Sequence, residues 1–514
     1  MAVTHHSGHA TPHPYVNIGV VLERKNNKNR HSRVKGQTKK DNRFMINVNE
    51  ILQGADISTK ISKLKSRFST VPDWGLLLLD YEPQLHKIVE DRKGRVDKVH
   101  SDGTVDKAAR IPIGLEKLLT SRMTDFTFAI PVKRIYTHAD TQVQKDIANA
   151  IERIYQVAHV DTENIKRGIA YYASCEIFTM WYTAARPNNL YGFDSKFKLK
   201  CRTFSPMDGC LLYPLFDETG DMMAMSFEYN RKVSDEDVTF FETFTADSHF
   251  KWQKSGKAWE LMDEPERISI LKIPGAYLMR PQPCFDGLQP LREDLEYTIS
   301  RNSDIVAYNA SPILKISGNL IGEEHKGETR RVYRVNEGGD VSYVSWAQSV
   351  SALEFHTNAL LRYFWQQAQM PDISFENLKS LGQIGFDARK MMLTDAHLKI
   401  GEETGPWLEF LTRECNVIKA FLKKMNIKWA SEIDKVHVEH VITPFIIEDE
   451  AAKLDYHMKA NGNKPVESHH ESIMRLGKSK NVEQTLSEIQ ADMAAQAAKE
   501  AREEAEKKKQ KQNR

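Results

Sequence analysis

The side chains that could do chemistry in this sequence do not form the constellations that common enzymes require. Gly256-Lys257 resembles the end of a phosphate-binding loop, but Ala258 follows where Ser or Thr is needed, and Lys251 occupies the position of the first glycine. The sequence contains no HExxH motif, no GxSxG motif and no Cys/His spacing typical of zinc. These patterns argue against a P-loop ATPase, a zinc protease and a serine hydrolase.

Two short histidine groups are the remaining candidates for metal ligands. His437 and His440 fall three apart in a predicted strand, where their side chains face opposite sides. His469-His470-Glu471 is consecutive, whereas ligands on one helical face stand three or four residues apart. We therefore expect no catalytic residue, no metal site and no cofactor.

Other polar and aromatic side chains have simpler explanations. Asp304, Asp387 and Asp395 lie on predicted helices without the lysine partner that a nuclease centre needs, and solvated helix faces account for them. Tyr363-Phe364-Trp365 could be a platform for stacking bases or a packing cluster, and packing is favoured.

Length and charge limit the classes of protein further. A chain of 514 residues predicts about three or four domains. Its formal net charge is only +2, so any contact with nucleic acid must be local or weak. The densest basic run is residues 24–43, where nine of twenty residues are Lys or Arg, which predicts a disordered arm that either binds an acidic partner or is merely solvated.

Cysteine usage and hydropathy predict a soluble chain in a reducing compartment. The five cysteines are odd in number and far apart, which favours buried core thiols over disulfides. The longest apolar runs fall well short of the ~20 residues that cross a bilayer, and no secretory signal is visible.

Two helices of matching length, with an extended module between them, dominate the organisation. The first helix has an apolar stripe that stops at Ser311-Pro312, because the residue before proline leaves the helical region. Glycines mark turns in the extended stretch 313–346. The stripe of the first helix consists of Leu288, Leu291, Leu295, Ile299 and Val306.

The second helix of the pair has an apolar stripe of its own. It ends at Met370-Pro371, where proline again stops the pattern. The stripe consists of Val350, Leu353, Leu360, Leu361, Phe364 and Ala368.

The N-terminal half predicts helices followed by a sheet. The predicted elements are a helix at 58–68, a buried strand at 74–80, a helix opened by Pro112 and running toward Asp125, a strand at 126–132, an amphipathic helix at 143–157, a helix through 164–172 that leads into a sheet, and antiparallel strands at 223–229 and 238–245 within a β-rich stretch.

The C-terminal half is mainly helical. The predicted elements are a glycine-marked loop after Pro371, helices at 387–399 and 407–425, a strand at 436–442, and a helical tail with an apolar stripe of Val482, Leu486, Ile489, Met493 and Ala497.

This order of elements resembles the portal proteins of tailed bacteriophages, of the type found in phages with long, non-contractile tails. The resemblance covers about Arg110 to Val482 and implies an α+β portal fold. It includes the step Ile130-Pro131-Val132, the helix carrying Gly168-Ile169-Ala170-Tyr171, the exit at Ile273-Pro274-Gly275, and a C-terminal series with Gly462, Ser468, Glu471 and Leu476-Gly477.

The resemblance also implies a domain order. The expected regions are a basic disordered arm (1–45), a wing (46–286), stem helix 1 (287–310), a clip (311–346), stem helix 2 (347–372), a tunnel loop (373–388), a channel helix with a return to the wing (389–447), a crown (448–500) and a charged flexible tail (501–514).

In function, the resemblance implies a structural ring at one capsid vertex, without enzymatic activity. Its subunits, twelve in the family, would surround double-stranded DNA and bind the terminase large subunit, then a head completion or adaptor protein. Major capsid and scaffolding proteins are further implied partners, and the implied location is the virion, after assembly in the host cytoplasm. The resemblance implies no membrane partner.

The implied site residues fall into two groups. Weak DNA contacts in the channel are assigned to Lys379, Arg389 and Lys390, because tight neutralisation of phosphates would resist sliding. Two alternatives stay open: a nuclease-like enzyme of nucleic acids, and a connector or minor capsid protein without a translocation channel. Stem packing or subunit contact is assigned to Leu291, Leu295, Ile299, Leu360, Phe364 and Trp365.

Overall fold

A computed structural model describes most of the chain from Val48 to Gln512. The residues inside this range that are not described are 55, 67–70, 234–235, 257, 310–312, 318–319, 326–330, 337, 339, 345–349, 373–390, 446–449, 463–464, 478 and 480–481. The predictions for the basic arm and for the loop at 373–388 therefore lie outside the described residues.

Helices occur along the whole described chain. In order they are α1 (Val48–Gln53), α2 (Ile57–Leu64), α3 (Trp74–Tyr81), α4 (Lys87–Glu90), α5 (Leu115–Phe128), α6 (Gln142–Val157), α7 (Val160–Ser174), α8 (Gln289–Asn309), α9 (Val350–Ala368), α10 (Thr394–Met425), α11 (Glu450–Ala460), α12 (His469–Leu476) and α13 (Val482–Gln512).

The strands concentrate in two stretches. They are β1 (Lys98–Val99), β2 (Val105–Asp106), β3 (Lys133–Thr137), β4 (Glu176–Ala184), β5 (Lys198–Phe204), β6 (Leu211–Phe216), β7 (Met222–Val233), β8 (Glu236–Phe244), β9 (Ser248–Ser255), β10 (Ala258–Leu261), β11 (Glu266–Arg267), β12 (Gly275–Met279), β13 (Ile313–Ser317), β14 (Leu320–His325), β15 (Arg331–Val335), β16 (Asp340–Val344) and β17 (His437–Val441).

All the described sheets are antiparallel. The largest has the order β10-β9-β8-β7-β6, with β11 paired to β9, and it confirms the predicted β-rich stretch. A second sheet has the order β12-β4-β5, and β17 returns to pair with β3. Mixed helices and antiparallel sheets confirm the α+β class.

The helix pair with its β module is confirmed. Helix α8 has 21 residues and α9 has 19, and the two helices pack against each other. Between them, β13 pairs with β16 and β14 with β15. Because the chain leaves α8 and returns at α9, the β module is an insertion at one end of a helical pair.

The predicted strand at 74–80 is wrong, because this segment is helix α3. Asp73 caps the helix by accepting a hydrogen bond from the Gly75 backbone N–H at 2.9 Å. A short apolar run without alternation fits a strand and a half-buried helix equally well, and here the capping aspartate favours the helix.

The boundary around Phe126 is also wrong in the sequence prediction. Helix α5 begins at Leu115 rather than at Pro112 and continues through Phe128, so the strand starts only at Lys133. The helix tolerates three threonines, because each hydroxyl donates to the carbonyl four residues earlier. These are Thr120, Thr124 and Thr127.

The two helices predicted at 387–399 and 407–425 form one helix over the described residues. Helix α10 runs for 32 residues with Pro406 inside it. Proline removes one backbone hydrogen bond, but the buried side chains of Trp407, Phe410 and Leu411 follow at once and hold both halves in the core.

Two hydrophobic clusters organise the part of the chain that positions the helix pair. The first joins α5, α7, α8, α9 and the N-terminal half of α10, and the second joins α6, β4, β5 and the C-terminal half of α10. Helix α10 therefore belongs to both cores. None of the helices in the described residues is long and apolar enough to cross a membrane.

The cysteines agree with the core interpretation. All five are free; Cys175, Cys210 and Cys415 are buried, whereas Cys201 and Cys284 are half-buried. Burial raises the pKa of the Cys175 thiol to about 12, so this thiol stays protonated and unreactive near neutrality.

Candidate functional site

A cluster of charged and polar side chains, all buried except the half-buried Asp80, fixes α8 to the rest of the chain. We call this cluster the junction; it consists of Asp80, His86, Glu116, Arg292 and Glu296. Arg292 and Glu296 lie one turn apart on α8, whereas Glu116 comes from α5 and Asp80 from α3. The cluster thus joins three helices that are far apart in the sequence.

Arg292 is the central cation of the junction. Its Nε donates to Glu116 Oε1 at 2.8 Å, Nη1 donates to Glu296 Oε2 at 3.1 Å, and Nη2 donates to Asp80 Oδ1 at 3.1 Å. A guanidinium presents donors in a fixed planar fork, so three carboxylates in these directions determine the rotation and height of α8.

His86 completes the junction from the loop before α4. Its Nδ1 lies 2.6 Å from Glu296 Oε1, and its Nε2 lies 2.9 Å from the Asp80 carbonyl oxygen. Glu296 Oε1 also accepts from the Ile113 backbone N–H at 2.8 Å. Both ring nitrogens of this fully buried histidine therefore have a partner, which is the condition for burying a polar side chain at low cost.

Burial and pairing act in opposite directions on the charges of the junction. Burial raises the pKa of Glu116, which outweighs the opposing effect of Arg292, and Glu116 Oε2 has no hydrogen-bond partner among the described residues. Burial disfavours the charge on Arg292, but Glu116 and Glu296 outweigh it and raise the pKa of the guanidinium. Arg292 is therefore the fixed charge around which the carboxylates are arranged.

A non-helical segment runs along α8 and bonds to it at regular intervals. We call residues 108–114 the strap. The backbone N–H of Ile113 donates to Glu296. Further along, that of Ile111 donates to Ser300 Oγ at 3.0 Å, and that of Ala109 donates to Asp304 Oδ1 at 2.8 Å.

The spacing of these bonds has a geometric cause. Two residues of extended chain advance about 6.6 Å, and four residues of α-helix advance about 6 Å. Every second amide of the strap can therefore meet every fourth residue of the helix. The strap pairs with one face of α8 over three successive turns, running in the opposite direction.

Arg95 closes the far end of the strap. Its guanidinium pairs with the Asp304 carboxylate and donates to the Ser300 carbonyl at 3.0 Å and to the Ala109 carbonyl at 2.8 Å. Arg95 is buried, so its side of these bonds is shielded from water, whereas the Asp304 side chain is 39% exposed. The contact extends the attachment of α8 well beyond the junction.

A second arginine holds the end of α9. Arg122, on α5, lies 4.0 Å from the centre of the Trp365 ring, donates to the Pro371 carbonyl at 2.9 Å and lies 3.4 Å from Asp372. Gln369 adopts a left-handed backbone with φ 54°, which ends the helix. Helix α5 therefore positions both α8, through its glutamate in the junction, and the chain that leaves α9.

Helix α10 is attached through two of its glutamates. Glu414 accepts from Arg167 Nη2 at 2.6 Å and from Trp181 Nε1 at 2.9 Å, and it is fully buried. Glu403 accepts from Arg280 at 3.1 Å. Burial opposes the charge on Arg167, but Glu414 outweighs it and raises the pKa of the guanidinium.

The six apolar residues assigned to packing or subunit contact all join the first hydrophobic cluster, so each has neighbours within one chain. Of the adjacent aromatic residues, Tyr363 remains exposed. Buried in the cluster are Leu295, Leu360, Phe364 and Trp365, and Leu291 and Ile299 pack against it.

The three basic residues assigned to DNA contact lie outside the described residues. They are Lys379, Arg389 and Lys390.

Sequence reasoning missed the polar side chains of the junction. A signal was present, because Arg292, Glu296 and Ser300 follow each other every four residues beside the apolar stripe of α8. The strap had no such signal, since its donors are backbone amides that any residue carries. Asp304, interpreted as a solvated carboxylate, in fact pairs with the strap and Arg95.

The histidine prediction is correct for the strand faces. In β17, His440 is buried and His437 is exposed. Among the residues that the structure describes, no group of three or more His, Cys, Asp or Glu side chains is placed to hold a metal ion.

The fold is an α+β architecture in which two anchored helices carry an inserted β module at one end. A family model described as phage portal protein, SPP1 Gp6-like, matches residues 75–511, so the chain belongs to that family. A comparison with curated protein sequences finds no match.

The solved structures that this chain is similar to include chains of gene transfer agent particles. A chain from the neck of an empty particle is 10% identical, with 80% of this chain and 95% of that chain covered and a TM-score of 0.39. A chain from the neck of a native particle is 10% identical, with coverage of 81% and 96% and a TM-score of 0.39. A chain from the native virion is 11% identical, with coverage of 80% and 94% and a TM-score of 0.35.

Proposed function

We propose that the chain is the subunit of a portal ring that lets double-stranded DNA enter and leave a capsid at one vertex, with the helix pair as the channel wall. In this proposal α8 and α9 are the stem, the module β13–β16 is the clip, residues 46–286 are the wing, and 448–500 are the crown. The supporting observation is the junction, which fixes α8 to α3 and α5 of the wing by ion pairs and leaves the inserted module at the far end of the helix pair.

The ring is a homo-oligomer, with twelve subunits as the number carried over from the resemblance. A head-to-tail ring needs two different faces on each subunit. Large apolar side chains that remain exposed in the single chain are available for such contacts, including Phe355 on α9 and Leu398 on α10. The ring works in the virion and assembles in the host cytoplasm.

The charges of the helices fit a channel that holds DNA weakly. Helix α8 carries two basic and four acidic residues, α9 carries one of each, and α10 carries five of each. Phosphate neutralisation releases counterions and strengthens binding, which would oppose sliding. Lys379, Arg389 and Lys390 are proposed as the local weak contacts; replacing all three with alanine should alter packaging rate or genome retention, and an unchanged phage would remove that assignment.

The energy for DNA movement comes from a separate motor in this proposal. The terminase large subunit docks on the clip during packaging, and a head completion or adaptor protein binds there afterwards. The major capsid and scaffolding proteins contact the outer part of the ring. The work of the chain is then shape, subunit contact and guidance of DNA, not catalysis.

The decisive experiment is a mass measurement of the purified full chain combined with negative-stain imaging. A large ring with a central hole is the expected result. A persistent monomer at high concentration would contradict the proposal and favour a connector or minor capsid protein. The nuclease-like alternative predicts DNA cleavage that depends on a divalent metal, or ATP hydrolysis, by the same preparation.

A further inference from the structure

A small cleft rich in lysine lies beside the C-terminal half of α10, away from the junction. Its volume is about 330 Å³, and we call it the lysine cleft. It belongs to the surface over the second hydrophobic cluster, which contains Ile270, Val417 and Ile418. The residues that matter for its chemistry are Leu271, Lys272, Lys419, Lys423, Lys424 and Asp434.

The cleft has an excess of positive charge. Lys423 is neutralised by Asp434 at 2.5 Å, and that aspartate is the one carboxylate among the cleft residues. Lys272 and Lys424 are exposed and form no ion pair with any described residue. Two cations therefore stand at the opening without a counter-charge from the described part of the chain.

Lys419 supplies a third, buried cation. Its residue is only 9% exposed, and its Nζ donates to the Val436 carbonyl at 2.7 Å. An ammonium has three donors, and a neutral carbonyl leaves the charge itself uncompensated. Burying an unpaired charge is costly, so an anionic oxygen entering the cleft would stabilise Lys419 as well as the two surface lysines.

Leu271 adds an apolar contact to the same opening. Its backbone is left-handed with φ 51°, a region that non-glycine residues rarely adopt, and its side chain is 60% exposed. The neighbouring Ile270 and Ile273 are buried, so they hold the loop while Leu271 projects at the cleft. Strain of this kind often marks a functional position.

We propose that the lysine cleft binds an acidic segment of a partner protein, with a carboxylate among Lys272, Lys419 and Lys424 and an apolar residue of the segment against Leu271. The cleft volume is at the lower end of the range of ligand sites, roughly 300 to 1,000 Å³, and suits one or two side chains. Double-stranded DNA fits less well, because its charges repeat along a wide rod whereas the cleft is small enough for one or two side chains.

The test uses the full-length chain and a fluorescein-labelled peptide of repeated Glu-Leu-Glu units, with binding followed by anisotropy at low salt. The variant carrying Lys272→Glu and Lys424→Glu should bind at least about tenfold more weakly, equivalent to about 1.4 kcal/mol. The matched control carries Lys98→Glu and Lys107→Glu, the same charge change on two exposed lysines, one in β1 and one directly after β2, and should bind nearly as the wild type.

A second variant, Leu271→Gly, keeps the proposal testable if the double lysine variant misfolds. Leu271→Gly relieves the left-handed strain and removes only the apolar contact, so it should fold and bind a few times more weakly. Carbodiimide coupling, which joins carboxylates to nearby amines, should attach the peptide at Lys272 or Lys424. Peptide binding that survives the double cleft variant, or coupling only to the basic residues 24–43, would overturn the proposal.

A competition experiment separates the two kinds of polyanion. Duplex DNA should displace the peptide poorly, and the loss of DNA binding in the cleft variant should match that in the control variant. A cleft variant that loses DNA binding more than peptide binding would overturn the protein-segment assignment. None of these results depends on ring formation, so the outcome is independent of the mass measurement above.

Discussion

Helices α8 and α13 differ in how much of their side-chain surface the rest of the chain covers. At the junction, α8 is attached by buried arginine, histidine and glutamate side chains with bonds to three other segments. In α13, side chains of the apolar stripe stay largely in solvent; Met493, for example, is 64% exposed. The comparison indicates that the orientation of α8 is determined within one chain, whereas α13 retains apolar surface for contacts outside it.

The largest expected effect comes from removing the central cation of the junction. Arg292→Met should lower the free energy of unfolding by about 3 to 5 kcal/mol, because Glu116 and Glu296 would be left buried without their partner. Arg301→Met is the control, since Arg301 lies exposed on the same helix, and it should change stability by less than about 0.5 kcal/mol. Thermal unfolding of both variants checks this.

A double variant tests why Arg292→Met lowers the free energy of unfolding. If unpaired carboxylates cause the loss, adding Glu116→Gln to Arg292→Met should recover part of the stability, giving a coupling of about 1 kcal/mol or more. Strictly additive losses would show that packing of the arginine stem, and not charge pairing, dominates the junction.

Two buried histidines differ in whether their ring nitrogens have hydrogen-bond partners. His86 has a partner at each ring nitrogen, whereas neither ring nitrogen of His440 has one among the described residues. Burial, together with Arg134 and Lys419, lowers the pKa of His440 from 6.5 to about 4. The unfolded chain therefore takes up a proton that the folded chain refuses, and stability is lost as the pH falls from about 6.5 to 4.

The lowered pKa of His440 predicts that the free energy of unfolding falls by about 3 kcal/mol as the pH falls from about 6.5 to 4. Each pH unit between the two pKa values contributes about 1.4 kcal/mol. His440→Leu should remove this part of the acid sensitivity, and His437→Leu, on the exposed face of the same strand, should keep it. Melting temperatures measured from pH 7 to 4 test the prediction. Equal acid sensitivity in the wild type and His440→Leu would mean that His440 protonates freely in the folded chain.

Much of this fold could be predicted from the sequence, and the reasons differ between regions. The pair α8 and α9 has long apolar stripes and a proline boundary, so periodicity locates it. Strands β7 and β8 were also predicted, but their buried residues are consecutive (224–227 and 240–244) and do not alternate with exposed ones. The prediction for Trp74–Tyr81 fails because a short apolar run has no distinctive period. The sequence predicts two helices where the structure has the single helix α10, because a proline such as Pro406 breaks most helices. Here the tertiary packing of buried Trp407 keeps the helix continuous.

The candidate site was less predictable than the fold. Its bonds join residues about two hundred positions apart, such as His86 with Glu296, and backbone amides of the strap carry no sequence signature. Polar residues repeating every four positions on α8 were visible, but their partners depend on how α3, α5 and the strap fold around that helix.

The strap gives a prediction of intermediate size. Ser300→Ala should cost about 1 kcal/mol, because the amide of half-buried Ile111 would lose its acceptor. Hydrogen exchange at Ile111 should become faster, while exchange at the core of α5 should not change. Ser303→Ala, on the same helix and only half-buried, should have little effect. If exchange at Ile111 is unchanged, the bond to Ser300 does not hold the strap.

The smallest effect is expected at the other side of the comparison, in α13. Met493→Ala should change the stability of the single chain by less than about 0.5 kcal/mol, because an exposed methionine loses little on truncation. Met123→Ala makes the same substitution in α5, where the side chain is 1% exposed, and should cost about 2 to 5 kcal/mol. Urea titration of both variants at low protein concentration measures the difference. A cost above about 1 kcal/mol at Met493 would mean that α13 is packed within the chain and has no apolar surface to spare for neighbours.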